Sequence, residues 1–129
     1  AAGGVHSAFV YSPYQDNPEN KAFVDALLAK HGPAGMPNLA AVSAWDGLAM
    51  VYHMIQATDG KKDGKAAMDA LKGLEIASPR GPITIDPETR DIIQDVYLRV
   101  VEKRDDGVLV NREISKQEAV KDPWKELNP

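Results

Sequence analysis

The spacing of apolar residues changes character along the chain, and each change marks an element. Val5, Phe9, Val10 and Tyr11 crowd into a short stretch that ends at Ser12–Pro13, which predicts a strand over Val5–Tyr11 feeding a turn. A helix follows. Asn17 is a good N-cap, Pro18 suits the first helical position, and Glu19 sits at the positive end of the dipole. Phe23, Ala26 and Leu27, with Val24 and Leu28 beside them, form one apolar stripe until His31–Gly32–Pro33 stops it. A longer helix runs from about Asn38 to Thr58. Leu39, Val42, Trp45, Leu48, Val51, Tyr52 and Ile55 make it apolar nearly all round, which predicts burial on several sides, with Trp45 and Tyr52 in the core. Asp63 caps a third helix, Gly64–Lys72, with Ala67, Met68 and Leu71 facing inward and Gly73–Leu74 shaped as a Schellman stop.

Beyond Leu74 the period drops from about four to two. Pro82–Asp86 is a short extended segment. Ile92–Lys103 is a long strand, with Val96, Leu98 and Val100 on one face and Tyr97, Arg99 and Val101 on the other. Asp106–Gly107 signals a hairpin, and Val108–Ile114 returns antiparallel. The tail KDPWKELNP is expected to drape over the surface around Trp124. The order is strand, three helices, then a strand and a hairpin, an α/β pattern. A lone first strand followed by helices asks for parallel partners that this chain does not supply, so it reads as part of a larger α/β protein.

Bulk properties narrow the partners. With 129 residues, 43% hydrophobic and 26% charged, the chain is long enough for one globular unit and unlike a disordered one. A formal charge of −4 and singly scattered lysines and arginines argue against nucleic acid, which is met with a basic stripe. The absence of cysteine excludes disulfides, thiolate catalysis and cysteine-held metals. There is neither an initiating methionine nor a basic, apolar leader at Ala1, so a mature or truncated product is expected. Leu39–Ile55, interrupted by Asp46, Gly47 and His53, is too short and polar to span a bilayer.

Candidate chemistry concentrates in Ser78–Asp91, SPRGPITIDPETRD. Asp86, Glu88 and Asp91 are spaced somewhat like calcium ligands, but the sixth position of such a loop would be Asp91 rather than glycine. The twelfth would be Tyr97 rather than glutamate, and Arg90 would put a cation in the cage. Turn chemistry fits better. Pro82 and Pro87 fix φ, Asp86–Pro87 opens a turn, and Arg80 and Arg90 can pair with nearby acids. His6, His31 and His53 share no ligand spacing, so no metal site is expected. His31 suits a helix C-terminus, and His53 reads as a boundary residue. No nucleophile elbow or phosphate-cradling glycine pattern is present, so an enzyme reading has no positive support. Tyr11 and Tyr14 flank a strand-to-helix turn and are equally good as core or as the lining of a ligand cleft.

In order, YSPYQDNPENKAFVDALLAKHG, PNLAAVSAWDGLAMVYHMI and LKGLEIASPRGPITIDPETRDIIQDVYLRVVEK resemble the final third of periplasmic solute-binding proteins of ABC importers. The nearest class is the branched-chain amino acid type, the type I periplasmic binding proteins, whose relatives also carry amides, urea or aromatic acids. The likeness spans essentially the whole chain and is most specific in SPRGPITIDPETRDIIQDVYLRVVE. It implies a two-lobed α/β fold with three crossing strands, closing over a ligand between the lobes. Residues 1–12 would be a hinge strand leaving the second lobe, and 13–95 first-lobe helices and the turn segment. Residues 96–129 would be the hinge strand, hairpin and tail of the second lobe. The chain would be a carboxy-terminal fragment that works by binding rather than turnover, without a cofactor. Its location would be periplasmic, or extracellular and lipid-anchored. Its partners would be a small-molecule ligand (an amino acid or aromatic acid) and a membrane permease. The ligand contacts the resemblance leaves in this chain are Tyr11, Tyr14 and Ala40. Ala40 stands where a branched-chain amino acid binder carries phenylalanine, leaving room for a larger ligand. By itself such a chain is expected to self-associate through its unfinished sheet edges. Two other readings are a sensing receptor domain of the same fold and an autonomous protein-interaction module.

Overall fold

The computed structural model describes residues 3–128, the side chains of Lys125 and Glu126 excepted; Ala1, Ala2 and Pro129, which open the first segment and close the tail, lie outside. The elements run β1 (His6–Phe9), α1 (Pro18–His31), a 3₁₀ turn (Gly32–Gly35), α2 (Leu39–Ala57) and α3 (Gly64–Asp69). Then come β2 (Glu75–Ser78), β3 (Gly81–Ile85), β4 (Ile92–Lys103), β5 (Leu109–Val120) and α4 (Trp124–Leu127). The fold is mixed α/β, as expected.

The helix starts are chosen by their caps. The side chains of Asn17, Asn38 and Asp63 each accept a backbone N–H three residues on, from Asn20, Ala41 and Ala66. Gly32, at φ 64°, ends α1, its amide donating to the carbonyl of Leu28. α3 is shorter than its apolar spacing predicts. It stops at Asp69, and Leu71 is buried from the following turn. Gly73 is not a Schellman stop either, because its amide donates across to the Ile85 carbonyl of β3.

Every strand pairing is antiparallel, and β4 organises the sheet. β5 follows one edge of β4 from Lys103 back to Gln94. The opposite edge is shared. β3 pairs with Ile92–Gln94, and β1 pairs with Tyr97–Val100. This corrects the expectation of a first strand waiting for parallel partners: β1 finds an antiparallel one ninety residues later. Two further differences come from weak local signals. Glu75–Ser78 holds only one large apolar residue, Ile76, yet pairs with β3 as β2. β5 continues to Val120, well past Ile114, because two register shifts carry the pairing on.

The helical core packs Tyr11, Phe23 and Val42 together, with Leu27, Leu39 and Ala41 against them. On the sheet, Ile83, Ile85 and Tyr97 are buried, and on β4 the inward face is that of Asp95, Tyr97 and Arg99. α2 differs from expectation. Leu48, Val51 and Ile55 are exposed, and Trp45 and Tyr52, expected in the core, are 50% and 61% exposed. Val42 and Asp46 are its buried side. An apolar helix covered on one side only is what a sequence shaped for more neighbours looks like among the described residues.

The Asp86–Asp91 stretch is a turn. The Asp86 carboxylate accepts the amides of Glu88 (2.8 Å) and Thr89 (3.2 Å), and Lys121 lies 3.1 Å away. These amides first, then Lys121, hold the Asp86 pKa below its usual 3.8. A folded pKa below the unfolded one means the turn's stabilisation is complete above the usual carboxylate range and lost as pH falls through the folded value. In an acid titration followed by NMR, the Glu88 and Thr89 amide shifts should therefore move with a midpoint below 3.8. A midpoint at or above it would contradict the turn.

Candidate functional site

The residues between β1 and α1 form a tightly tied turn. The Ser12 amide donates to Gln15 Oε1 (3.0 Å), the Gln15 amide to the Ser12 carbonyl (3.1 Å), and the Tyr14 amide to Ser12 Oγ (3.3 Å). Asn20, only 1% exposed, fastens the turn from the first turn of α1. Its Nδ2 donates to the carbonyls of Gln15 (2.9 Å) and Pro13 (3.1 Å), while its Oδ1 accepts the Tyr11 hydroxyl (3.0 Å). Nothing in the local pattern marks Asn20 as more than a polar helix residue, and its role emerges only when the turn folds back on the helix.

A second set of bonds joins this turn to the sheet through Arg80. The Arg80 carbonyl accepts the Tyr97 hydroxyl (2.8 Å) and Gln15 Nε2 (3.4 Å), and Asn17 Nδ2 donates to the neighbouring Pro79 carbonyl (3.2 Å). The Arg80 side chain does not pair locally, as its neighbours in sequence suggest. It reaches Asp46 of α2 at 2.8 Å, with Nη2 donating to Ser43 Oγ (3.1 Å) and Nη1 to Gln94 Oε1 (3.2 Å). One buried guanidinium thus ties α2, the β2–β3 turn and β4 together.

Beside the turn lies a cavity of about 600 Å³ whose walls include Tyr14, Gln15, Tyr97, Arg99, Arg112 and Glu113. Tyr14 is partly open to it, and its backbone is held by the Ser12 hydroxyl. Arg112 is neutralised by Glu102 at 2.6 Å. Arg99 is buried. Nη1 donates to the Tyr11 carbonyl (2.7 Å), Nη2 approaches Ser7 Oγ (3.4 Å), and the guanidinium carbon lies 5.4 Å from the Phe9 ring centroid. Burial lowers the Arg99 pKa and raises those of both tyrosines, Tyr11 to about 12, and Tyr97 upward as well with the Asp95 charge adding to burial. Both hydroxyls are therefore neutral donors at ordinary pH.

The three expected ligand contacts fall in different surroundings. Tyr11 is 3% exposed, its ring in the helical core and its hydroxyl on Asn20. Tyr14 lines the cavity. Ala40 is exposed on the first turn of α2, away from that cavity's wall. His53 is the boundary residue it looked like, its Nε2 3.1 Å from the Ala70 carbonyl. Among the described residues no cluster of histidine and acidic side chains is arranged to hold a metal, and no helix is long and apolar enough to cross a membrane.

Comparison with known proteins decides what this arrangement belongs to. The family model described as periplasmic binding protein matches residues 1–107. The chain belongs to the periplasmic binding protein family. Its fold, with a sheet centred on one long strand and helices between β1 and β2, is a portion of the fold seen in solved members of that family. It superimposes on an ABC transporter solute-binding protein from Rhodopseudomonas palustris BisB5, in complex with 3,4-dihydroxybenzoic acid, with a TM-score of 0.89. That match is 47% identical and covers 96% of this chain and 33% of the other. The solute-binding protein from R. palustris HaA2, in complex with p-hydroxybenzoic acid, aligns at TM-score 0.87 and 44% identity, over 93% of this chain and 32% of that one. The Leu/Ile/Val-binding protein homolog 6 of Brucella abortus (strain 2308) is 46% identical over 120 residues, 93% of this chain. The chain spans about a third of the length of the relatives it matches.

Proposed function

We propose that this chain is the hinge-bearing part of an extracytoplasmic solute-binding protein of an ABC importer. It serves uptake of a small aromatic acid, by lobe closure rather than by turnover. The observation that carries this is the likeness, above 40% identity over nearly the whole chain, to two binding proteins solved with hydroxylated benzoic acids. The periplasm and a membrane permease as partner follow from the same reading. Residues 1–12 would leave the second lobe, 13–95 would belong to the first, and 96–129 would return to the second. The antiparallel contact of β1 with β4 supports this division, since two strands passing between lobes side by side make such a contact.

Tyr14, which lines the cavity, and Ala40, which lies outside its wall, are the proposed ligand contacts; the Tyr11 ring is committed to the core, so its share is to place the turn. Ala40 lies on the first turn of α2, where backbone amides and the helix dipole favour a carboxylate and a methyl side chain leaves room for a ring. Titration calorimetry on the full-length protein tests the proposal. It should bind 4-hydroxybenzoate in preference to leucine, and Ala40→Phe should weaken 4-hydroxybenzoate about tenfold or more by overfilling the site. A wild-type preference for leucine would sink the aromatic-acid reading.

A further inference from the structure

We infer that Arg99 is a positioning residue of the hinge: by holding the Tyr11 carbonyl it fixes the angle at which the helices leave the sheet. This rests on the reading of β1 and β4 as hinge strands. β1 is only four residues long and largely exposed, so its own pairing with Tyr97–Val100 is a weak anchor. Two residues past its end, Tyr11 belongs to two bodies at once. Its ring and hydroxyl are packed among Asn20, Phe23 and Val42 of the helices, and its carbonyl takes a 2.7 Å bond from Arg99 of β4. The chain therefore changes direction at a residue gripped on one side by helix and on the other by sheet.

The rest of Arg99 is arranged for the same purpose. Nη2 reaches back to Ser7 within β1, and the guanidinium plane meets the Phe9 ring, so contacts before and at the joint come from one rigid fork. Two positions earlier on the same strand face, Tyr97 bonds the Arg80 carbonyl, which also holds Gln15 of the turn. β4 thus holds the start of the turn directly through Arg99, and its Tyr97 shares the Arg80 carbonyl with Gln15 at the other end. The side chain at 99 also forms part of the cavity wall, so its part in the hinge is read from distances measured without ligand. It acts on affinity by setting how much of the lobe population is poised to close.

Distance measurements between spin labels on the full-length protein decide this. Glu19→Cys and Asp105→Cys place labels on exposed positions of α1 and the hairpin tip, and this chain contributes no native cysteine. Wild type should give a narrow distribution without ligand. Arg99→Met should broaden or shift it and lower 4-hydroxybenzoate affinity about tenfold. Arg99→Lys, which keeps a donor for the carbonyl but not the fork, should fall between, and it carries the test alone if the methionine variant does not fold. A distribution unchanged from wild type in the variants overturns the inference, and so does broadening with unchanged affinity. A wild type that binds neither 4-hydroxybenzoate nor leucine defeats the binding proposal instead. The label distances still decide the role of Arg99.

Discussion

Arg80→Met is expected to cost about 3–5 kcal/mol of folding stability, among the largest losses any single substitution here should produce. The pair it breaks is buried on both sides, with the Arg80 and Asp46 side chains 5% and 2% exposed and 2.8 Å apart. The contact is one of charge rather than of well-aligned hydrogen bonds, since neither Asp46 oxygen has a hydrogen-bond partner among the described residues. Removing the guanidinium therefore leaves a carboxylate in the protein interior with little to replace its water. It also strips donors from Ser43 and Gln94, so α2 loses its tie to β4. Urea unfolding of Arg80→Met should show a midpoint far below wild type. The double variant Arg80→Met, Asp46→Leu should recover most of the loss, because the charge left stranded by the single change is gone. If the double variant is as unstable as the single one, lost packing is the cause and the buried charge is not.

The same ion pair joins residues that local spacing does not connect. Asn17–Pro18 and Asp106–Gly107 carry their structural meaning within a few residues, through a cap and a tight turn, and both stand where expected. Arg80 and Asp46 lie thirty-four positions apart, and local spacing points Arg80 to the acids beside it. β1 shows the same limit in the backbone. Its residues indicate a strand, but the partner that satisfies it is chosen by the path of the chain between Tyr11 and Tyr97. For the candidate site, Tyr14 could be picked from its place at a strand-to-helix turn, an irregular segment that exposes a side chain on a fixed support. Asn20 and Arg99 could not, because alternation and helical period assign a face to each and say nothing of the carbonyls they hold. The spacing of apolar residues in α2 predicts burial on several sides, and Trp45, Leu48, Val51, Tyr52 and Ile55 do not follow it. They stand exposed because burial depends on surfaces that a helix cannot specify by itself.

Gly81→Ala should be the second severe change, at about 2–5 kcal/mol, and its cause can be separated into two parts. Ser78–Pro79–Arg80–Gly81 has the residues of a tight turn closed by glycine, and Gly81 takes φ 101°, where any side chain is strained. A methyl group there would also collide with the Tyr97 hydroxyl. That hydroxyl cannot simply move aside, since it donates to the Arg80 carbonyl at 2.8 Å and its ring is buried. Tyr97→Phe removes the obstruction and leaves the backbone strain. By itself it should cost about 1 kcal/mol for the lost hydrogen bond. In a Gly81→Ala background the same change should cost nothing or restore stability, giving a coupling of about 1–2 kcal/mol in a double-mutant cycle followed by urea unfolding. Simple additivity would assign the whole effect to φ. The turn would then be held by its glycine alone, and Tyr97 would serve the joint at Arg80 without guarding the shape of the chain beside it.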